Sequence, residues 1–431
     1  MISVKSLIKA LQTGTYDDAL SRLYALDGTR ASLEQARKRA VRVTGQFANQ
    51  FTPTAGCALF SGPGRTEIGG NHTDHQHGHV LCGSVDLDML ACAAPNGLNT
   101  IRVQSEGYPL LEVSLDSLLP REEEKNKTTA LIRGMAAKTQ ELGYSLSGFD
   151  AYVTSNVLSG SGLSSSAAYE TLIGNIINRF CCGNTLDAVT IAKIGQYAEN
   201  IYFGKPCGLM DQMGSSVGGA VAIDFADPAD PMVNMVDYDF TRSNHTLCIV
   251  DTCSSHGDLT DDYAEITRDM GSVASHWGKQ FLRDVSEADF WNELFSLRVR
   301  CGDRAVLRAM HFFEDDRRAV KEFQALQAGN FSSFLTLVNA SGLSSSLHLK
   351  NTWSVSAPNQ QAIPLTLALG RKLLDGAGAI RVHGGGFAGT IQAFVPNEKL
   401  DTFKSGMEAL LGQGKCHILH IRSQGGCVVA E

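Results

Sequence analysis

No stretch of this 431-residue chain has the uninterrupted apolar length of a membrane span or a signal peptide. A long run of lysine and arginine is also missing, and the formal charge is −8 at pH 7. Both observations argue against nucleic acid or an anionic membrane surface as a partner. The sequence therefore predicts a cytoplasmic protein with small-molecule ligands, and it leaves the oligomeric state open, a monomer included.

The cysteines lack any pairing pattern. There are 11 of them, an odd number, with no C-x-x-C pair and with Cys181 next to Cys182. This distribution indicates neither a disulfide framework nor a zinc ribbon, and most of these residues are predicted to be buried as small apolar side chains.

Length and composition predict an ordinary globular protein with more than one core. The chain is 43% hydrophobic and 19% charged, and 431 residues exceed one typical domain. Helical periodicity predicts an N-terminal helical extension over residues 1–48. A polar, proline-containing stretch around 228–244 precedes an apolar strand, so we place the boundary between two domains, 49–240 and 241–431, there. Residues 298–325 are predicted to form one helix.

Residues 156–170 contain two glycines and five serines between an alternating apolar run and a helix-like pattern from Ala167 onward. Glycine allows positive φ and a close approach, and the first turn of a helix offers unpaired N–H groups, so the segment suits an anion. A serine-capped helix after a turn explains the same residues. The segment matches neither G-x-x-x-x-G-K-[ST] nor G-x-G-x-x-G, so a different phosphate loop is required.

Residues 61–81 combine four histidines, two carboxylates and five glycines. Metal binding is one interpretation, but the glycines do not permit the regular helix on which histidines at ligand spacing would share a face. A loop that presents Arg65, His72 and Asp74 to a polyhydroxylated ligand explains the composition better.

Two later segments are also rich in glycine. Asp211 lies in a mostly apolar run, where an unpaired charge is costly, so we expect it to have a partner; as an alternative, it caps a helix. Residues 384–389 contain four glycines. A hairpin needs fewer, which favours a close approach of the backbone to another group.

Taken in order, these segments resemble the GHMP small-molecule kinases. The motifs are Gly-Arg at 64–65 with His-Thr-Asp at 72–74, Gly-Leu-Ser-Ser-Ser-Ala-Ala at 162–168, Gly-Leu-Met-Asp-Gln at 208–212 and Gly-Gly-Gly-Phe-Ala-Gly at 384–389. Within the superfamily the chain looks like the galactokinases, whose first signature reads G-R-x-N-x-I-G-E-H-T-D-Y. The resemblance spans about residues 55–396 and implies a two-domain α+β fold, with a ribosomal-protein-like N-terminal domain and a ferredoxin-like C-terminal domain.

The resemblance also implies roles for individual residues, with ATP and Mg²⁺ as cofactors. Asp211 and Arg65 match the catalytic pair. Asn71, His72, Asp74 and Tyr263 match sugar-binding positions. Ser166 and Glu199 match Mg²⁺ ligands. The positions that match the ATP-binding loops are Gly160, Ser161, Gly162, Leu163, Ser164, Ser165, Ser166, Ala167, Gly384, Gly385 and Gly386.

The chain departs from the galactokinase pattern at several positions. Asn71 replaces the glutamate that contacts the sugar C6 hydroxyl in the family, and His75 and Gln76 replace the residues after the aspartate. Galacturonate kinases of plants resemble this chain at these positions, and an asparagine would accept a C6 carboxylate that glutamate repels. Ile266 stands where an arginine is expected, and Thr128 stands where the family has a tryptophan, so adenine packing must come from elsewhere.

The resemblance therefore predicts an ATP-dependent sugar 1-kinase that phosphorylates galactose. A kinase for a C6-modified galactose such as galacturonate is an alternative. A second alternative is a catalytically silent protein of galactokinase fold that binds sugar and ATP and regulates transcription. In the serine loop, as we call residues 156–170, the motif from Gly162 to Ala168 is intact, which favours an enzyme.

Overall fold

Two β-sheets organise the chain in the computed structural model, which describes residues 1–53, 55–157, 162–205, 207–254 and 259–431. The strands are β1 Ala58–Gly69, β2 His79–Pro95, β3 Thr100–Ser105, β4 Leu111–Ser114, β5 Phe149–Ser155, β6 Ala220–Asp224, β7 Met232–Met235, β8 His245–Asp251, β9 Ala379–His383, β10 Thr390–Pro396, β11 Cys416–Leu419 and β12 Cys427–Ala430.

Helices cover these sheets on both faces. They are α1 Val4–Gln12, α2 Asp17–Tyr24, α3 Arg30–Gln50, α4 Thr128–Glu141, α5 Ser165–Cys181, α6 Ala188–Tyr197, α7 Met210–Ser216, α8 Thr260–Ala274, α9 Glu287–Asn292, α10 Leu294–Cys301, α11 Asp303–Gln327, α12 Phe331–Ser344, α13 Ala362–Leu374 and α14 Leu400–Leu411. Single π-helical turns follow α6 at Ala198–Phe203 and α12 at Ser345–Leu349. Within the described ranges, no helix is long and apolar enough to cross a membrane.

The first sheet is built on the long antiparallel hairpin of β1 and β2. Its strand order is β12-β1-β2-β5-β3-β4, while β6 pairs with the start of β2 and carries β7. The register of β1 shifts between Pro63 and Arg65. A bulge of this kind bends the strand and re-aims the side chains after it, and here the first of them is Arg65.

The second sheet is antiparallel, with the order β11-β8-β10-β9. One face packs against α13 and α14. The other face packs against α12 and against Ile68, Leu81 and Val85 of the first sheet, so that one apolar cluster joins the two halves of the chain. The mixed α+β fold confirms the predicted fold class.

The N-terminal helices are part of the first domain. Side chains of β1 and β2 alternate between two buried faces: Phe60 and Ala91 face α4 to α6, whereas Leu59 and Cys92 face α1 to α3. An apolar sheet face must be covered, and these helices cover it. The description of residues 1–48 as an extension is therefore corrected.

The C-terminus also returns to the first sheet. Strand β12 pairs with β1, with Leu59 opposite Ala430. The predicted second domain therefore ends before the last ten residues. The predicted helix over 298–325 is interrupted as well, because Gly302 takes a φ of 85° between α10 and α11.

Candidate active site

Arg65 and Asp211 form an ion pair at the centre of the first domain. Arg65 Nε and Nη2 lie 2.8 and 2.6 Å from Asp211 Oδ1. Arg65 Nη1 donates to the carbonyl of Gly162, and the Arg65 backbone N–H donates to the carbonyl of Leu163 at 3.0 Å. The arginine, which is buried, thus connects β1, the start of α7 and the serine loop.

The surroundings of Asp211 keep its carboxylate ionised. Burial raises its pKa, but the Arg65 charge, hydrogen bonds from Arg65 and Ser164, and the Lys205 charge outweigh burial and hold the pKa below its ordinary value. The Asp211 side chain remains 31% exposed. The protein therefore presents a negative, partly accessible oxygen beside a fixed guanidinium.

The described part of the serine loop leads directly into α5. Gly162 and Ser164 have φ values of 69° and 54°, both left-handed, and the helix begins at Ser165. The Ser164 side chain does not cap the helix. The first turn therefore presents uncapped N–H groups, which suit an anion better than the alternative of a serine-capped helix does. Gly160 and Ser161 lie outside the described residues.

Three buried polar residues lie behind this turn. Gln212 Nε2 donates to Glu199 Oε2 at 2.8 Å and to Glu170 Oε2 at 3.0 Å. Burial and the nearby Glu199 raise the pKa of Glu170 well above its ordinary value. Glu170 Oε1 is buried without a hydrogen-bond partner among the described residues. Two buried carboxylates with one neutral donor between them favour a cation nearby.

The side-chain oxygen atoms of Ser166 and of these carboxylates are of the kind that binds Mg²⁺. Ser166 is four residues before Glu170 in α5 and hence on the same helix face. Hydroxyl and carboxylate oxygens are the ligands that this ion prefers. Glu199 also faces Lys205, whose Nζ lies 3.5 Å from Glu199 Oε1. We did not expect Glu170 from the sequence, although its spacing from Ser166 was visible.

The predicted sugar-binding residues differ in their burial and in their hydrogen-bond partners. His72 Nε2 donates to the carbonyl of Gly385 at 2.9 Å, and burial, with His75 nearby, lowers the pKa of His72 to about 3. His72 is therefore neutral and keeps Nδ1 as an acceptor. Asp74 is mostly buried, with Oδ1 accepting from the His75 backbone N–H at 2.9 Å.

Asn71 is not available to a ligand, which corrects its predicted role in binding the sugar. Its side chain is fully buried. Nδ2 donates to Glu67 Oε1 and to the Gly384 carbonyl, while Oδ1 accepts from Ser345 and Asn351. The amide thus has two donors and two acceptors, all of them used by the protein.

The glycine loop, residues 384–389, lies between the serine loop and the sugar-binding positions. A Cβ built on Gly162 would be 3.0 Å from His383, the residue just before the glycine loop. On the other side, Tyr263 Oη donates to the Gly386 carbonyl at 3.0 Å, and a Cβ built on Gly385 would be 2.5 Å from the Tyr263 ring. Glycine at 385 is therefore required by this close packing.

The histidines of residues 72–79 have separate partners. His77 stacks on Phe281, and His79 contacts Asp224 and Asp316. Within the described ranges, no group of three or more His, Cys, Asp or Glu side chains is arranged to hold a metal ion.

Comparison with known proteins identifies the families that parts of this chain resemble. The profile of the GHMP kinases N terminal domain matches residues 130–219, and the galactokinase galactose-binding signature matches residues 45–95. Among solved structures, Lactococcus lactis galactokinase complexed with galactose superimposes with a TM-score of 0.75 at 23% identity, covering 90% of this chain and 98% of that one. A mevalonate kinase structure gives a TM-score of 0.57 at 15% identity, with 84% and 99% covered. These matches identify a GHMP kinase N-terminal domain over residues 130–219, and the chain as a whole resembles GHMP kinases in fold.

This chain is also similar in sequence to galactokinases. It is 29% identical over 366 residues to the galactokinase of Streptococcus thermophilus, covering 83% of this chain and 90% of the relative. It is 27% identical over 374 residues to the galactokinase of Streptomyces coelicolor, covering 85% and 92%. The resemblance inferred from the motifs is confirmed.

Proposed function

We propose that this protein transfers the γ-phosphoryl group of ATP to the anomeric hydroxyl of galactose. The Arg65 and Asp211 pair, at 2.6 to 2.8 Å, is the observation that carries the proposal. The sequence matches to galactokinases and the galactose-binding signature support the choice of sugar. All 11 cysteines are free, which supports the cytoplasmic location that we also propose.

Asp211 accepts the proton of the sugar C1 hydroxyl while the oxygen of that hydroxyl attacks the γ-phosphorus of ATP. The bond from the γ-phosphorus to the bridging oxygen breaks, and ADP leaves. Arg65 orients the Asp211 carboxylate and places a fixed positive charge beside the transferring group, where charge stabilisation contributes most to phosphoryl transfer. The low pKa of Asp211 ensures that the carboxylate is ionised before the sugar arrives.

The serine loop holds the nucleotide phosphates. Residues 162–167 supply left-handed backbone at Gly162 and Ser164 and the uncapped N-terminal turn of α5. Backbone N–H groups in this arrangement bind phosphate oxygens. Gly384, Gly385 and Gly386 close the cleft from the second domain, opposite the serine loop.

Ser166 and Glu199 are the residues that would hold Mg²⁺. The ion, when bound, would neutralise charge on the nucleotide phosphates. Gln212, which also donates to Glu170, donates to Glu199 and fixes its carboxylate, and such supporting contacts usually tune a metal site.

His72, Asp74 and Tyr263 are proposed to contact the sugar. His72 offers a neutral acceptor at Nδ1, and Asp74 offers carboxylate oxygens, so both suit sugar hydroxyls. The argument for galacturonate depended on Asn71 contacting C6. Because Asn71 is buried and its amide is fully used, that argument no longer favours an acidic substrate over galactose.

ADP release in the presence of galactose tests the proposal, with the sugar product identified by phosphorus NMR. Galacturonate serves as the competing substrate. We expect galactose 1-phosphate and a strong preference for galactose. If galactose and ATP bind, as measured by calorimetry, but no ADP forms, the protein is the silent regulator instead.

A further inference from the structure

The contacts of Asn71 join three segments of the chain. Its side chain bonds Glu67 in β1 at 2.9 Å, the Gly384 carbonyl at 2.8 Å and Asn351, after α12, at 2.8 Å. Its backbone N–H donates to Asp315 Oδ2, and its carbonyl accepts from His311, each at 2.9 Å. Asn71 therefore connects the loop carrying His72 to helix α11 and to the glycine loop.

The carbonyls of Gly384 and Gly385, the first two residues of the glycine loop, face this buried cluster. Gly384 O accepts from Asn71, and Gly385 O accepts from both His72 Nε2 and Asn351 Nδ2. The N–H and C=O of a trans peptide point in opposite directions. The N–H groups of Gly385 and Gly386 consequently point away from the cluster, and among the described residues they have no acceptor.

The space beside Gly384 is open, whereas Gly385 and Gly386 pack closely against Tyr263 and Asn351. A Cβ built on Gly384 meets no atom within 4 Å. Gly384 and Gly386 have φ values of 67° and 80°, so the loop adopts a conformation that glycine favours and that needs external contacts to fix it. The contacts that fix it are those of Asn71, His72, Asn351 and Tyr263.

We infer that Asn71 is a positioning residue, which holds the Gly384 carbonyl so that the Gly385 and Gly386 N–H groups face the reacting groups in the cleft. The inference rests on the proposed kinase function and deepens it. It gives this asparagine a role in orienting the glycine loop rather than in touching the sugar.

Two substitutions, Asn71→Asp and Glu67→Gln, distinguish the contact of Asn71 with Glu67 from its contact with the Gly384 carbonyl. In Asn71→Asp, a carboxylate oxygen replaces the donor 2.9 Å from Glu67 and 2.8 Å from the Gly384 carbonyl, so both contacts become repulsive. In the double variant Glu67→Gln with Asn71→Asp, the contact between residues 67 and 71 is restored, but the one to Gly384 is not. Glu67→Gln alone keeps the bond to Gly384 and is the matched control; it also removes the charge that pairs with buried Arg381, whose Nη2 lies 2.6 Å from Glu67 Oε1, so a fall in melting temperature is expected of the control itself.

We expect Asn71→Asp to lower the melting temperature, to speed hydrogen exchange of residues 383–390 in the unliganded protein, and to reduce kcat about 100-fold, the loss typical of misplaced catalytic groups. The double variant should regain much of the melting temperature while kcat stays low and exchange stays fast. Glu67→Gln should keep kcat near that of the wild type. A double variant with wild-type kcat, or an Asn71→Asp protein with unchanged kcat, would overturn the inference.

The ratio of kcat/KM for galactose to that for 6-deoxygalactose distinguishes positioning from contact. A side chain that touches the sugar would change this ratio, whereas a positioning residue leaves it unchanged while kcat falls. A changed ratio contradicts the inference.

Asn351→Ala provides a second variant if Asn71→Asp does not fold. It removes a donor to Gly385 O and to Asn71 Oδ1. It should also speed exchange of the loop and lower kcat, and normal values for both would overturn the inference. If the wild type does not phosphorylate galactose, the proposed function fails, but the exchange rates still test the role of Asn71.

Discussion

Glu170 and Glu199 share a single donor, the side-chain nitrogen of Gln212, at 3.0 and 2.8 Å. Both carboxylates are almost fully buried. Two such groups cannot both be ionised cheaply without a cation, and burial with the neighbouring Glu199 already raises the pKa of Glu170. Lys205, whose Nζ lies 3.5 Å from Glu199 Oε1, supplies one positive charge to this pair, and the Glu199 carboxylate bonded by Gln212 offers oxygen atoms of the kind that a divalent ion prefers.

Removing either proposed metal ligand should raise the Mg²⁺ requirement. Glu199→Gln keeps the shape of the side chain but loses its charge, and Ser166→Ala loses a hydroxyl oxygen. We expect the Mg²⁺ concentration for half-maximal rate to rise about tenfold or more in each variant, at saturating ATP. Binding of Mn²⁺ followed by electron paramagnetic resonance gives a readout independent of turnover. If neither quantity changes, these residues do not hold the ion.

Asp211→Asn should abolish most turnover but leave ATP binding nearly unchanged. The amide keeps the shape of the side chain and cannot accept the C1 proton, so we expect kcat to fall about 10³-fold, within the usual range for a general base. ATP affinity is measured by calorimetry. Near-normal kcat in this variant would show that Asp211 serves only the first turn of helix α7.

The wild-type pH profile follows from the same carboxylate. Because the Arg65 charge holds the pKa of Asp211 below its ordinary value, protonation of Asp211 should not reduce kcat/KM as the pH falls to about 5. In Arg65→Met the largest influence that lowers this pKa is gone, and burial is opposed only by the smaller effects of Ser164 and Lys205. The acidic limb of the profile should then move to higher pH, and an unmoved limb would mean that Arg65 does not set the ionisation of Asp211.

The sequence indicated that Asp211 needs a partner, but it could not identify that partner from local pattern. Arg65 is 146 residues away, and only the motif resemblance connected the two. For Asn71, in contrast, the motif resemblance predicted the wrong contact. Its position in the motif predicted a sugar contact, yet Ser345 and Asn351, 274 and 280 residues away, occupy its oxygen. Contacts between distant segments depend on packing, which periodicity does not encode.

Local pattern also could not predict what the N-terminal helices cover. Their periodicity indicated an apolar side but not its destination, and the sheet face that they pack against belongs to β1 and β2. Similarly, the apolar spacing of 298–325 continues through Gly302, where the backbone turns to positive φ and ends the helix.

His72 should make the folded protein sensitive to acid. Burial, with His75 nearby, lowers its pKa to about 3, whereas an unfolded histidine has a pKa of about 6.5. Between these values the unfolded chain binds a proton that the folded protein does not, so stability rises with pH over this window and is complete above it. His72→Gln, whose amide can still donate to Gly385 O, should show a smaller rise in melting temperature between pH 4 and 6.5. Equal slopes would show that His72 is protonated in the folded state.

The last prediction concerns Asp88, which anchors the N-terminal helices to the first sheet. Tyr24 Oη donates to Asp88 Oδ2 at 2.6 Å, and Arg39 Nη1 lies 2.5 Å from Asp88 Oδ1. Asp88 is fully buried, and burial raises its pKa less than the Arg39 and Arg422 charges lower it. Its stabilising effect is therefore present at neutral pH and is lost as the pH falls through its depressed pKa.

Asp88→Asn should reduce the free energy of unfolding by about 3 kcal/mol, because it leaves buried arginines without their charged partner. Tyr24→Phe removes one hydrogen bond and should cost about 1 kcal/mol. Tyr16→Phe is the matched control, since Tyr16 donates to the Glu431 carbonyl in an exposed contact and should cost less. Urea unfolding at neutral pH measures all three, and the KM for galactose should stay constant. If Asp88→Asn is no more destabilising than Tyr16→Phe, Asp88 does not anchor these helices.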